Sequence, residues 1–340
     1  MNSVMINQKT TGLDCANLAI NSLLDYKGYK YYSTLWKQCG LMYIKTKGDS
    51  FGQIKGNYMK MEEEFWLVNG VTVKTCRQEN PNLLSKEICD FLKKDEPIIV
   101  YVDVFELPYN KYYKKMHGSH CVTIIDQQDK SFTIIDNVFR YTGQLSFEHL
   151  LNALNISLTE NSTTSLEYTY FSLLNAKIPK KEEMFEVVNK NNRFLRGNIN
   201  KEEYERIKLD NKINEIEVGL NSINLLMESL KKNMGIRESK EKEWYKIHRD
   251  LSNIANLHYS YSYFLEYLAK DVPDFEKIQK RYYNLAKNWN MASNLALKAS
   301  INFQESLLDR LIKKLTLIRQ KEEDVIENSE DLYQKNITLL

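Results

Sequence analysis

The spacing of hydrophobic residues changes near Ile178, and this change divides the chain into two halves. Before Ile178, short helical stretches mix with runs of β-branched residues. After it, apolar residues recur every three or four positions, which is the spacing of one helix face. The charged segment Lys180–Glu183 marks the transition. We therefore predict two domains, residues 1–178 and residues 179–340.

The first half is predicted to hold two helices and four strands. The predicted helices cover Ala16–Leu24 and Leu84–Leu92, and the predicted strands cover Ile98–Val102, His120–Ile125, Ser131–Ile135 and Leu166–Leu174. The polar turn Asp126–Lys130 joins the second and third of these strands, which is typical of a β-hairpin. Helices followed by strands predict an α+β domain.

The second half is predicted to be all-α. Its apolar stripes contain Ile213, Ile216, Leu220, Ile223, Met227 and Leu230; Leu251, Ile254, His258, Tyr261 and Leu265; and Ile278, Tyr282, Leu285, Trp289, Ala292 and Leu295, with Leu307, Leu311, Leu315 and Ile318 continuing the third stripe. Breaks fall near Gly235 and at Asp271–Asp274. An antiparallel helical bundle is the expected arrangement.

Composition and charge exclude several classes of protein. Hydrophobic residues make up 43% of the chain and charged residues 27%, which is typical of a globular protein. Lys plus Arg number 47 and Asp plus Glu 45, so no overall positive field favours nucleic acid. No stretch approaches the ~20 apolar residues of a membrane span, and the first thirteen residues lack the apolar run of a secretory signal. We expect a cytoplasmic location.

Cys15 is the candidate nucleophile among the five cysteines. An odd number of cysteines without CxxC spacing indicates free thiols in a reducing compartment. Cys15 lies directly before the predicted helix Ala16–Leu24, where unpaired backbone N–H groups and the helix dipole favour the thiolate. The alternative is a small buried cysteine in a helix cap.

The hairpin supplies a candidate base. Directly opposed residues of an antiparallel pair have a constant index sum, and a turn centred on Gln128 makes that sum 256. This register places His120 opposite Asp136, so the carboxylate would orient the imidazole toward a thiol. The same register places His117 opposite Phe139, which cannot do so. A slip of one residue in the turn would break this prediction.

A metal site is not expected. His117, His120 and Cys121 are closely spaced, but no fourth ligand lies nearby in the sequence. Cys121 follows His120 in a strand, so it should point to the other face of the sheet and into the core. His258 lies in an apolar stripe and is interpreted as a core residue rather than a ligand.

These motifs resemble a known group of enzymes. The order Cys, His, acid is that of papain-like enzymes. Asp14–Gly28 resembles the catalytic helix of the double-glycine leader peptidases, and Gly118–Ile125 and Ile134–Asn137 resemble their His and Asp strands. Among those relatives the chain is most similar to the butirosin-type acyltransferases, in which a thiol-protease-like N-terminal domain precedes a helical region.

The resemblance implies a papain-like first domain with a Cys15–His120–Asp136 triad. An acyl group would move from the phosphopantetheine arm of an acyl or peptidyl carrier protein, via Cys15, to a small amine or diamine. The product would be an amide in antibiotic biosynthesis, for example in closthioamide-type thiotemplated assembly, and the protein would need no cofactor of its own. Leader peptidases place an oxyanion-hole Gln six residues before the Cys. Lys9 holds that position here, so Gln8 is the candidate donor.

Three functions stay open from the sequence. Transfer to an amine, peptide cleavage by water and a non-catalytic binding scaffold share these motifs, and the large helical half in place of a membrane exporter favours transfer. Lys111, Lys114 and Lys115 form a basic-aromatic patch that could dock an acidic carrier protein, or a plain solvated loop. The helical half could cover the acyl chain or form a homodimer.

Overall fold

The computed structural model describes residues 12–46, 51–160, 166–211, 215–232 and 240–337, and these form ten α-helices, two short 3₁₀ helices (Tyr32–Thr34 and Val104–Glu106) and nine strands. The helices are α1 (Cys15–Tyr26), α2 (Met61–Asn69), α3 (Pro81–Leu92), α4 (Phe147–Glu160), α5 (Lys181–Leu195), α6 (Lys201–Asn211), α7 (Asn221–Lys232), α8 (Lys240–Leu268), α9 (Phe275–Ile301) and α10 (Glu305–Ile337). The strands are β1 (Met42–Lys45), β2 (Gln53–Lys55), β3 (Thr72–Gln78), β4 (Ile98–Asp103), β5 (Ser119–Gln128), β6 (Ser131–Asp136), β7 (Tyr141–Ser146), β8 (Leu166–Ser172) and β9 (Glu215–Val218).

The chain folds into two compact units that alternate along the sequence. One contains the residues up to Tyr32 together with Phe65–Ile178, and the other contains Ser33–Glu64 together with the residues from Pro179 onward. The sequence-based division placed residues 33–64 with the first half. In the structure they cluster with the helical unit, because β1 pairs with β9 of the C-terminal half.

The first unit is built on a six-stranded antiparallel sheet with the strand order β3-β8-β4-β5-β6-β7. One sheet face packs on α3 and α4. The buried residues of that core are Leu84, Ile88, Ile98, Val100, Val102, Leu107, Val122, Ile124, Phe132, Ile134, Leu145, Leu150, Ala153, Leu154, Leu166 and Tyr168. The sheet residues in this core have even numbers on β4, β5 and β6, so odd-numbered side chains of these strands face the other side.

The other face of the same sheet carries α1. Thr123, in the centre of β5, donates a hydrogen bond through Oγ1 to the carbonyl of Ala19 at 3.0 Å. Asn137, directly after β6, donates through Nδ2 to Ser22 Oγ at 2.5 Å. Leu18, Ala19, Ile20, Leu23 and Leu24 fill the buried face of the helix. Two strands therefore fix α1 by polar contacts as well as by packing, which sets the position of its first residue.

The second unit contains a small sheet and long helices. Its sheet has the order β2-β1-β9. The stripe that begins at Ile213 and Ile216 was predicted to belong to one long helix. Ile213 lies outside the described residues, but Glu215–Val218 form β9 and α7 begins only at Asn221. Glu215–Val218 form a strand because polar and apolar residues alternate along this segment, and the apolar residues Ile216 and Val218 are buried. A second difference is that residues 302–304 separate α9 from α10.

The α+β layout with a helical C-terminal region is confirmed. The helices α8, α9 and α10 have 29, 27 and 33 residues, more than the ~20 needed to cross a bilayer. Nevertheless, no helix in the described part of the chain combines that length with the required apolar character.

Truncation after Ile178 is expected to leave part of the second unit without its partners. The strand β1 lies between β2 and β9, and Met42 and Ile44 of β1 are buried against Ile216 and Val218. A chain ending at Ile178 lacks β9, so it should expose these side chains and the unpaired edge of β1. We predict a large loss of soluble yield relative to the full chain. A soluble, monomeric fragment by size-exclusion chromatography would contradict this.

Candidate functional site

Cys15 is the first residue of α1, and its neighbour Asp14 caps the helix. The Asp14 carboxylate accepts a hydrogen bond from the backbone N–H of Asn17 at 2.8 Å. Burial raises the pKa of Asp14, while the N–H groups of Asn17 and Ala16 act in the opposite direction. Cys15 itself is half-buried. The cap therefore fixes the first helical turn and leaves the thiol accessible at the helix N-terminus.

His120 lies at the start of β5 and is 4% exposed. Its Nε2 is 2.7 Å from Oδ2 of Asp136, the last residue of β6. The other ring nitrogen, Nδ1, is then the one left to face Cys15, with which the imidazole shares a hydrogen bond. The structure therefore brings together the three residues named as a triad from the sequence.

Asp136 is held by four hydrogen bonds. Its Oδ1 accepts the backbone N–H groups of Val138 at 3.1 Å and Phe139 at 3.2 Å. Its Oδ2 accepts the hydroxyl of Tyr109 at 2.9 Å as well as the His120 contact. Tyr109 is in turn stacked on Tyr141 with the ring centroids 4.0 Å apart. These contacts fix the carboxylate, and the carboxylate fixes the plane and tautomer of the imidazole.

The predicted register of the hairpin is wrong, although His120 and Asp136 still meet. The turn lies at Asp129 and Lys130, not at Gln128. After a bulge between Ile124 and Asp126, Ile124 pairs with Ile134 and Thr123 with Ile135, so the index sum is 258 rather than 256. His120 and Asp136 are thus diagonal neighbours. A shift of two residues preserves the sheet face, so the two side chains remain in reach.

Cys15 and His120 each stabilise the charged form of the other side chain. The hydrogen bond from Cys121 is the largest cause that lowers the pKa of Cys15. Burial acts in the opposite direction, but the hydrogen bond and the charge of His120 add to the effect of Cys121, and the pKa of Cys15 falls to about 4. Burial opposes the imidazolium, but hydrogen bonds to Asp136 and Cys15 raise the pKa of His120 to about 9. The pair is therefore a thiolate and an imidazolium at neutral pH.

Cys121 lies closer to Cys15 than the sequence suggested. It is buried and points to the sheet face opposite that of His120, as expected. That face is the one that carries α1, so Cys121 contacts Cys15 and not only the core. The hydrogen bond to Cys15 and burial hold the pKa of Cys121 well above its usual value, so Cys121 stays a thiol that donates. The sequence feature that could have predicted this contact is the position of Cys121 directly after His120.

The remaining candidates occupy other places. Gln8, the proposed oxyanion donor, lies outside the described residues. His117 stacks on Phe105 and lies 3.5 Å from the Asp103 carboxylate through its Nδ1. No group of three or more His, Cys, Asp or Glu in the described ranges is arranged to hold a metal ion.

The basic patch lies on the loop that leads into β5. Lys111 and Lys115 are exposed, and the Lys111 ammonium lies over the Tyr112 ring. Lys114 instead forms an ion pair with the buried Glu106 and covers the Phe105 ring. Two of the three predicted docking cations are therefore presented to solvent without a strong internal contact.

A second Cys–His–acid cluster, which the sequence analysis missed, lies inside the second unit. Cys39 Sγ is 3.7 Å from His258 Nε2, and that nitrogen is 2.7 Å from Glu322 Oε1. Glu322 also accepts the Trp289 indole N–H at 2.8 Å. All four side chains are fully buried, and burial raises the pKa of Cys39. This thiol is a structural one, and His258 is the core residue that its apolar stripe indicated.

Replacing Cys121 tests its effect on the pKa of the Cys15 thiol. Cys121→Ala removes the donor that most lowers the pKa of Cys15, so the Cys15 pKa should rise from about 4. The pH profile of Cys15 alkylation by iodoacetamide should then shift to higher pH. Cys121→Ser keeps a donor of similar size and should shift the profile less. Identical profiles for wild type and Cys121→Ala would show that the contact does not stabilise the thiolate.

A model of a known protein family matches part of the chain. Residues 14–137 match the family model described as "Butirosin biosynthesis protein H, N-terminal". A search of curated proteins found no match for the chain. The matched segment begins at Asp14 and ends at Asn137, so it contains Cys15, His120 and Asp136. The N-terminal part of this chain, residues 14–137, is therefore similar to the N-terminal domain of butirosin biosynthesis protein H.

Proposed function

We propose that the protein is a biosynthetic acyltransferase that takes an acyl group from a carrier-protein thioester onto Cys15 and passes it to an amine. The observation that carries this proposal is the grouping of Cys15, at the N-terminus of α1, with the His120 imidazole, whose Nε2 lies 2.7 Å from Asp136 Oδ2. The family match of residues 14–137 supports a role in biosynthesis. The five free thiols suit the reducing cytoplasm, where we place the reaction.

The first half-reaction forms an acyl-enzyme. The Cys15 thiolate attacks the carbonyl carbon of the thioester, giving a tetrahedral oxyanion. The backbone N–H of Cys15, at the positive end of α1, is one proposed donor to that oxygen, and Gln8 is the other. As the carbon–sulfur bond to the carrier breaks, His120 gives its Nδ1 proton to the leaving phosphopantetheine thiolate. The products are acyl-Cys15 and a neutral imidazole.

The second half-reaction forms the amide. Acylation removes the negative charge of Cys15, so one of the interactions that raise the pKa of His120 disappears and the ring becomes a neutral base. His120 then takes the proton of the amine as its nitrogen attacks the thioester carbon of acyl-Cys15. Collapse of the tetrahedral intermediate expels the Cys15 thiolate and restores the ion pair. Asp136 keeps its contact with Nε2 throughout and stabilises the imidazolium.

The patch of Lys111, Lys114 and Lys115 is the proposed docking point for the carrier protein. Tyr112 of this loop lies 6.0 Å from the Phe139 ring, and Phe139 lies 5.1 Å from the His120 ring. The loop is therefore close to the nucleophile. An acidic carrier protein bound to Lys111 and Lys115 would bring its phosphopantetheine arm near Cys15.

The test for an acyl-enzyme compares the half-buried thiol of Cys15 with the fully buried thiol of Cys39. Wild type incubated with a carrier protein loaded with a thioester should gain the mass of one acyl group, located on Cys15 by peptide mapping. Cys15→Ala should gain none, because the nucleophile is gone. Cys39→Ala is the matched control, since Cys39 also contacts a histidine but is fully buried, and it should still be acylated. Acylation of Cys15→Ala at wild-type level would disprove the proposed nucleophile.

The acceptor test separates transfer from peptide cleavage. Both reactions pass through acyl-Cys15, so only the product discriminates between them. With the loaded carrier and a panel of primary amines and diamines, mass spectrometry should detect an amide that His120→Ala forms at least 100-fold more slowly. Cleavage of double-glycine leader peptides, with no amide from any amine, would make the protein a cysteine peptidase. An intact thioester in the presence of every amine would leave only a binding scaffold.

A further inference from the structure

A groove between α9 and α10 has a chemistry that the acyl-transfer site does not use. Its volume is about 470 Å³. It is lined by Met291, Asn294, Leu295, Lys298, Arg310, Lys313, Lys314 and Leu317. Each helix contributes residues at positions i, i+3, i+4 and i+7, which is one face of a helix over two turns. The groove is therefore about 10 Å long by the helical rise of ~1.5 Å per residue.

The apolar part of the groove is exposed. Met291 is 54% exposed and Leu317 is 38% exposed, on opposite walls, whereas Leu295 between them is 9% exposed. The exposed parts of this methionine and leucine leave apolar surface that a partner could cover. Methionine is also a side chain that adapts its shape to a partner.

The charged side chains of the groove are all cationic. Lys298, Arg310, Lys313 and Lys314 line it, and no carboxylate does. In the described residues, none of these four cations forms an ion pair, and Lys314 contacts only the Asn288 amide oxygen at 3.4 Å and the Met291 sulfur at 3.9 Å. The two helices as a whole carry eleven Lys or Arg and nine Asp or Glu, and the whole chain has a net charge of only +2. The positive charge of the groove is therefore local.

We propose that the α9–α10 groove is a docking site for an acidic amphipathic helix of a partner protein. A helix of two to three turns would place apolar side chains at i, i+3, i+4 and i+7 over Met291, Leu295 and Leu317. Asp and Glu side chains on its flanks would face Lys298, Arg310 and Lys313. Charge complementarity and the apolar floor thus select the same kind of partner. The proposal is independent of the acyl-transfer reaction.

Other occupants fit less well. A second copy of this chain would bring two sets of four cations together, which is repulsive. Nucleic acid would find cations, but the lining contains no aromatic side chain on which a base could stack. A small anion would leave Met291 and Leu317 uncovered.

The test uses a synthetic probe. A fluorescein-labelled 14-residue peptide with leucines on one helical face and glutamates on its flanks is titrated with the full-length protein, and anisotropy is measured at 50 mM and 300 mM NaCl. The matched peptide has lysines in place of the glutamates. We expect saturable binding of the glutamate peptide that is at least tenfold tighter than that of the lysine peptide and that weakens with salt.

Variants locate the binding site. Lys298→Glu with Lys313→Glu should weaken binding of the glutamate peptide at least tenfold, and Met291→Asp should also weaken it. Lys277→Glu with Lys321→Glu makes the same change in net charge on the same two helices outside the groove, and it should change binding less than twofold. Circular dichroism checks that each variant keeps its helices. In the wild type, the ¹³C-methyl signal of Met291 should shift on binding.

Three outcomes would overturn the proposal. They are equal affinity for the glutamate and lysine peptides, equal loss in the groove and control variants, and no saturable binding by the wild type. Concentration-dependent dimerisation that Lys298→Glu with Lys313→Glu alters would instead make the groove an interface between two copies of the chain. Acyl-Cys15 formation is measured separately, so failure of the groove proposal does not bear on the nucleophile.

Discussion

The contact between His120 Nε2 and Asp136 Oδ2 is the interaction on which the site depends. It joins the beginning of one strand to the end of its neighbour, and both side chains are almost fully buried. In this low-dielectric setting an imidazolium is stable only beside a fixed negative charge. Because the contact occupies Nε2, it leaves Nδ1 for Cys15. This one hydrogen bond thus favours the charged form of the His120 ring and fixes the orientation of the ring.

The thiol is fixed by different means. Cys15 belongs to α1, whose position relative to β5 and β6 is set by the hydrogen bonds Thr123–Ala19 and Asn137–Ser22. The strands that carry His120 and Asp136 are therefore also the strands that position Cys15. Small movements of α1 would alter the distance between the thiolate and the imidazole, and with it the pKa of both groups.

Much of this site could be predicted because it depends on local patterns. The helix of Cys15 and the strands of His120 and Asp136 follow from apolar spacing, and the two-residue period of a sheet tolerated the error in the turn. The parts that were missed depend on contacts distant in sequence. Tyr109 reaches Asp136 across 27 positions, and Cys39 reaches His258 across 219. The strand Glu215–Val218 was missed because four alternating residues were outweighed by a longer helical stripe.

The alternation of the two units along the chain has a consequence for synthesis on the ribosome. Strand β1 is made early, but it pairs with β9, which follows much later in the chain. The paired residues Ile44 and Ile216 are about 170 positions apart. At elongation rates of roughly 5–20 residues per second, β1 waits on the order of 10–30 s for that partner. Meanwhile the whole six-stranded sheet of the first unit emerges. The second unit is therefore still incomplete while the strands of the first unit are being synthesised. The second unit can complete its sheet only after β9 has also been made.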